Sequence, residues 1–110
     1  MAKYALFFSY TPESWASMIK NPTDRGAAAK AVAEAVGGKI EGFYWMFGEY
    51  DGFAIVDGPD AINAAAVSVA VASSGAMSKA FTTQLFDASD QSALLERAKT
   101  ALASYAPPTG

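Results

Sequence analysis

The chain has 110 residues, a length that fits one domain with a core of its own. Charged residues make up only 17% of it and hydrophobic residues 52%, so little polar surface is available to cover a monomer. The net charge is −3 and the basic residues are scattered, which argues against nucleic-acid binding. Cysteine and histidine are absent, which excludes disulfides, the Ser-His-Asp triad and the common protein ligands of zinc and haem. We therefore expect no metal and no cofactor.

Neither apolar stretch of the chain is typical of a targeting or membrane segment. Residues 1–9 are too short and become polar too quickly for a signal peptide. The Ala/Val-rich run 61–72 is shorter than the ~20 residues that span a bilayer. We expect a cytoplasmic protein that does not contact a membrane.

The first third of the chain predicts a strand followed by two helices. Residues 3–10 carry apolar groups on both alternating faces, which is typical of a central strand covered on both sides. Residues 11–13 (Thr-Pro-Glu) predict a helix start. Residues 23–25 (Thr-Asp-Arg) begin a second, alanine-rich helix that should run to Val36 and end at the following glycine pair.

The middle of the chain predicts a β-hairpin. Residues 39–47 and 53–57 are rich in aromatic and β-branched residues, and a polar turn with two glycines joins them. Strict alternation in the first of these strands predicts two apolar faces. One face would carry Phe43, Trp45 and Phe47, and the other Ile40, Tyr44 and Met46.

The last part of the chain predicts helix, strand and helix. A proline start and an alanine run favour a helix over 59–73, although residues 67–71 taken alone resemble a strand. A strand over 78–86 and a helix from about 89 to 104 follow. Residues 1–106 then form a single domain, and residues 107–110 a disordered tail.

This order of elements, βαββαβ with an added C-terminal helix, predicts an α+β fold of the ferredoxin-like kind. Right-handed crossovers would place the main helices on one face of the sheet. The other face would be bare and apolar in a monomer, which marks an interface. Two such sheets packed face to face make a dimeric α/β barrel, so we expect a homodimer or a higher oligomer.

Several segments together resemble a known family. They are the signature Gly48-Glu49-Tyr50-Asp51, the opening Lys3-Tyr4 strand with residues 10–13 after it, Gly37-Gly38-Lys39, and Ser74-Gly75 before Phe81-Thr82-Thr83. In this set and order, the chain resembles the GYD family over about residues 3–100. The resemblance implies a dimeric α/β barrel and implies little about activity. Similar barrels include cofactor-independent monooxygenases, haem-handling proteins and dehydratases, and the turn is similar to one in amino-acid-binding effector domains of leucine-responsive regulators.

Five residues are candidates for binding a small molecule: Tyr10, Trp15, Tyr44, Tyr50 and Asp51. The aromatic rings suit a flat hydrophobic ligand, or they form plain core and dimer interface. Asp51 could serve as a base or an anchor for a polar ligand. Alternatively, it fixes the hairpin turn through hydrogen bonds to backbone amides, the interpretation we favour.

Two functions remain open. The first is a small-molecule-binding or assembly module that forms a dimeric α/β barrel. The second is a cofactor-independent enzyme of the barrel-monooxygenase kind, acting on a small aromatic or enolisable substrate. A cavity of roughly 300 Å³ or more that holds a carboxylate would favour a ligand site or an enzyme, and a filled interior would favour an assembly role.

Overall fold

A computed structural model describes residues 2–58 and 60–109 of the chain. These residues form four strands and four helices in the order β-α-α-β-β-α-β-α, with a short 3₁₀ turn before the last helix. The strands are β1 (Lys3–Tyr10), β2 (Lys39–Trp45), β3 (Gly52–Asp57) and β4 (Met77–Leu85). The helices are α1 (Pro12–Lys20), α2 (Arg25–Ala35), α3 (Ala61–Ser73) and α4 (Gln91–Ser104), and the 3₁₀ turn is Ala88–Asp90.

The strands form one antiparallel sheet in the order β2-β3-β1-β4. With two βαβ units around a central hairpin, this is the ferredoxin-like α+β fold that the sequence predicts, with α4 as the added helix. β1 lies inside the sheet, as its two apolar faces indicated. α2 packs against β2 and α3 against β4, so both cover the same face of the sheet.

The helices α1, α2 and α3 are each capped at the N-terminus by a short polar side chain. Thr11, Asp24 and Asp60 each accept a hydrogen bond from the backbone amide three residues further on, over 2.8–3.1 Å. The region 67–71 is helical, because it continues the helix that Asp60 caps. Pro59, which the sequence places at the start of that helix, lies outside the described residues.

The sheet has two faces, a helix face and an open face. The helix face lies under α2 and α3 and carries Tyr4, Leu6, Phe8 and Tyr10 of β1. The open face carries the alternate side chains Ala5, Phe7 and Ser9, and Phe53 of β3 and Phe81 of β4 are in register with Phe7. Tyr4, Phe8 and Tyr10 are buried, so the core of the protomer lies on the helix face.

An irregularity in β2 corrects one prediction. The pairing of β2 with β3 shifts register between Ile40 and Gly42, which inserts one extra residue. Ile40 therefore lies on the helix face together with Phe43 and Trp45, and not opposite them as strict alternation predicted. The strand also ends at Trp45 and not at residue 47, and Phe47 is 98% exposed.

The last helix stands apart from the rest of the fold. Every residue of α4 is exposed, and the helix packs mainly against the 3₁₀ turn that precedes it. Residues 107–109 follow as exposed chain, and Gly110, the last residue of the predicted tail, lies outside the described residues. None of the helices in the described ranges combines the length and the apolar character needed to cross a bilayer.

Candidate ligand-binding site

A cavity of about 440 Å³ lies between the helix face and the helices α2 and α3. Its floor is formed by aromatic and aliphatic side chains of the strands, and its walls by small and branched side chains of the helices. The main contributors are Tyr4, Leu6, Phe8, Tyr10, Ile40, Phe43, Ala54, Val56 and Thr82 from the sheet, and Arg25, Ala28, Ala29, Val32, Ala33, Ala64, Val67, Ser68 and Val71 from the helices.

The composition of the helices explains why space remains there. α2 and α3 present mostly alanine and valine to the sheet, whose side chains fill little volume. In the floor below them, the rings of Phe8 and Tyr10 pack edge-on against each other, with centroids 5.5 Å apart. The result is an apolar space of a size typical of small-molecule sites.

An aromatic cluster borders the cavity near the end of β1. The ring of Trp15 lies 5.5 Å from that of Tyr10 and 5.7 Å from that of Trp45, measured between centroids. Trp45 also contacts Phe43 and Phe8, at 5.4 and 6.1 Å. α1 thus brings Trp15 over the ends of β1 and β2. The helical spacing of Trp15 in the sequence did not predict which residues it contacts.

Asp51 connects the hairpin turn to this cluster. One carboxylate oxygen, Oδ2, accepts hydrogen bonds from the backbone amide of Tyr10 and from the indole Nε1 of Trp15, both at 2.9 Å. The backbone amide of Asp51 also donates to the carbonyl of Phe8 at 2.9 Å. The carboxylate does accept from a backbone amide, but that amide belongs to β1 and not to the turn, so Asp51 fastens the hairpin to the β1–α1 junction.

The other two predicted site residues lie on the open face. Tyr44 stacks on Phe53 with ring centroids 5.2 Å apart. Tyr50 packs against Phe7 and Phe81 at 5.8 and 5.4 Å. The structure therefore brings Tyr10, Trp15 and Asp51 together beside the cavity and separates Tyr44 and Tyr50 from them by the thickness of the sheet.

Comparison with known families identifies the chain. The model of the GYD domain matches residues 4–95. The chain belongs to the GYD domain family. A search of curated proteins and a search of solved structures gave no match.

The signature of this GYD domain, residues 48–51, connects the two faces of the sheet. Gly48 has a φ of +125°, a backbone conformation that favours glycine. Tyr50 then points to the open face, and the carboxylate of Asp51 reaches the aromatic cluster. Gly52 follows directly, and a Cβ atom there would lie 2.6 Å from the ring of Phe8. The signature thus sets the side-chain directions at the end of the hairpin.

One polar residue that borders the cavity of this GYD domain was not among the residues predicted from the sequence. Arg25 is the first residue of α2, and its Nε donates to the hydroxyl of Tyr10 at 3.4 Å. The sequence places Arg25 at a helix start, a position that by itself does not point to a site. The signal that could have pointed to it is a basic residue in the first turn of an alanine-rich helix that packs on the sheet.

Two polar residues on the strands of the GYD domain, Ser9 and Thr82, form hydrogen bonds within the protomer. The hydroxyl of Thr82 lies 2.6 Å from that of Ser68, across the cavity wall. Ser9 is buried, and its hydroxyl donates to the carbonyl of Glu49 at 3.3 Å. Among the described residues, no group of three or more Asp or Glu side chains is placed to hold a metal ion.

Proposed function

We propose that this GYD domain is a small-molecule-binding module that acts as a homodimer, with its ligand in the cavity between the helix face and the helices. The observation that carries the proposal is the size and lining of the cavity. About 440 Å³ falls within the range of ~300–1,000 Å³ typical of ligand pockets, and the lining is mainly aliphatic and aromatic with a few polar groups. Such a lining suits a ligand whose body is apolar.

The open face supports the dimer. Tyr44, Phe53, Phe7 and Phe81 form a row that crosses all four strands, with successive ring centroids 5.2, 5.2 and 4.9 Å apart. Tyr44 at one end of this aromatic row is 54% exposed and Phe81 at the other is 44% exposed. An exposed aromatic row at the centre of a sheet is typical of a protein interface.

The border of the open face carries opposite charges. Lys3 pairs with Glu41 at 3.0 Å, and Lys79 with Glu49 at 3.9 Å. The ammonium of Lys79 also lies 4.5 Å above the ring of Tyr50. An apolar centre with a charged border is the usual anatomy of an interface between proteins, and a specific one should bury at least about 1,000 Å².

In such a dimer the two functions of the sheet are separate. The open faces pack on each other, as in a dimeric α/β barrel, while the cavity of each protomer stays on the outer side. Ligand binding is then a property of the protomer, and dimerisation contributes stability. A substitution can therefore weaken ligand binding without weakening dimerisation, or the reverse.

The experiment combines native mass spectrometry with a cavity-filling variant. Protein purified from its source should have twice the mass of the chain plus a retained small molecule for each protomer. Ala29→Phe places a ring in the cavity and should lower ligand occupancy at least about tenfold, while the dimer persists. Ala31→Phe is the matched control, because Ala31 lies on the same helix but is exposed and does not border the cavity.

Loss of occupancy in both variants, or in neither, would contradict the assignment of the ligand to the cavity. A monomer at micromolar concentration would contradict the dimer. The alternative, a cofactor-independent enzyme, would be favoured if the retained molecule were chemically converted on incubation and Asp51→Asn stopped the conversion without loss of binding.

A further inference from the structure

The polar groups of the cavity are unevenly supplied with partners. At one end, the hydroxyls of Ser68 and Thr82 lie 2.6 Å apart and hydrogen-bond to each other, and the Ser68 hydroxyl also lies 3.3 Å from the carbonyl of Ala64. This pair is satisfied without a ligand. At the other end, beside Tyr10, lies the guanidinium of Arg25. Thr82 is in register with Leu6, so the two ends are joined by apolar side chains along β1 from Leu6 to Tyr10, a strand segment of about 13 Å.

Arg25 has unused hydrogen-bonding capacity. A guanidinium carries five N–H donors, of which Nε donates to the hydroxyl of Tyr10 at 3.4 Å. Within residues 2–58 and 60–109, no carboxylate lies within ion-pair distance of it. Its partly buried position at the border of an apolar cavity weakens its hydration and strengthens its attraction for an anion.

Lys79, the other basic residue that borders the cavity, is directed elsewhere. Its ammonium lies on the open face, 3.9 Å from the carboxylate of Glu49 and over the ring of Tyr50. One cation is therefore available to a ligand in the cavity. A single guanidinium balances a single negative charge, and its planar fork matches a carboxylate in two parallel hydrogen bonds.

We propose that the cavity binds an amphipathic carboxylate, with the apolar body along β1 and the carboxylate paired with Arg25. This inference rests on the proposed function, and it adds the chemical class of the ligand. A neutral apolar molecule would leave the charge of the guanidinium unbalanced and four of its five N–H donors unused, and a doubly charged phosphate would exceed the one positive charge present.

The test compares three probes that share one apolar chain: decanoate, decanol and decyl phosphate, each below its micelle concentration. Binding is measured by calorimetry and by the fluorescence of Trp15 and Trp45. The wild-type protein should bind decanoate at least about tenfold more tightly than decanol. Arg25→Met should bind the two equally, and Arg25→Lys should keep part of the preference. Arg97→Met, on the exposed helix α4, removes the same charge elsewhere and should keep the full preference.

The outcomes separate the inference from the function on which it rests. Equal binding of decanoate and decanol by the wild type would overturn the carboxylate inference and leave the apolar cavity as a binding site. Tighter binding of decyl phosphate than of decanoate would also overturn it. Failure of all three probes would overturn both. If Arg25→Met does not fold, as judged by circular dichroism, the wild-type ratio and the Arg25→Lys variant decide the matter.

Discussion

The helix face and the open face of the sheet are built from alternate residues of the same strands, yet they differ in how they are covered. On the helix face, Tyr4, Phe8 and Tyr10 are buried, and the space left above them is a cavity. On the open face, the aromatic row has Tyr50 packed against it but no helix above it, and both of its ends are about half exposed. A strand that is apolar on both sides can therefore supply side chains to two different surroundings, one set lining a cavity under helices and the other lying on a face that no helix covers.

The largest expected effect comes from a charge on the open face. Phe81→Asp should weaken the dimer at least about 100-fold, or about 2.7 kcal/mol, because dimerisation would bury an unpaired carboxylate. Sedimentation at micromolar concentration measures it. Ligand binding in the cavity should change little, because the substitution lies on the opposite face of the sheet.

Phe86→Asp is the control for that variant. Phe86 lies just beyond β4 and is 65% exposed, so the same substitution there adds the same charge outside the aromatic row. If both variants remain dimeric, the open face is not the interface. If both become monomeric, net charge and not the aromatic row decides assembly.

The next effect concerns Asp51, which joins the two faces at the hairpin turn. Asp51→Ala removes an acceptor of two hydrogen bonds and should lower the free energy of unfolding by about 2 kcal/mol. Asp51→Asn keeps an acceptor oxygen in place and should lose about half of that. Urea denaturation of the two variants measures the difference.

Glu49→Ala serves as the comparison for Asp51, since it removes a carboxylate from the same turn that is largely exposed and only weakly paired. It should change stability by less than about 0.5 kcal/mol. If Asp51→Ala were equally mild and abolished ligand binding, its role as a ligand anchor would outweigh its structural one.

The smallest effect is at the border of the open face. The pKa of Lys3 is raised above its ordinary value, because its ammonium donates a hydrogen bond to the Glu41 carboxylate and is attracted by its charge. A raised lysine pKa stabilises the fold while the group is protonated. That stabilisation is therefore present below the unfolded-state value near 10.5 and is lost as pH rises through the folded-state pKa.

Glu41→Gln should accordingly lower the pKa of Lys3 towards its ordinary value, as an NMR titration of the lysine side chain would show. Glu34→Gln, an exposed change on α2, should leave it unchanged. An unchanged pKa in Glu41→Gln would mean that the pair at 3.0 Å does not persist in solution.

The elements of the fold could be predicted from local pattern, and their placement could not. Alternation predicted β1 within the bounds observed, and the caps at Thr11 and near Asp24 predicted the helix starts. The extra residue after Ile40 was not predicted: Gly42 inside a strand pattern is a signal for a bulge, but strict alternation was applied through it. One inserted residue reverses the face of the residue before it.

The candidate site was predictable only in part for a similar reason. Opposite directions for Tyr44 and Trp45 follow from the period of a strand, but their assignment to the open face and the helix face depends on where the helices lie. The cavity depends on how far small side chains hold α2 and α3 from the floor, a distance that no local pattern encodes. Arg25 becomes a candidate site residue only because it borders that cavity.

The isolation of α4 has a consequence for how the molecule unfolds. The radius of gyration is 17.6 Å, against about 13 Å for a compact chain of this size, because the last helix extends away from the sheet. A single helix of this length is marginal in water, so without a packing partner its turns open and close locally. The monomer then has two cooperative units with separate stabilities, and part of its helical circular dichroism should fade before the aromatic core melts.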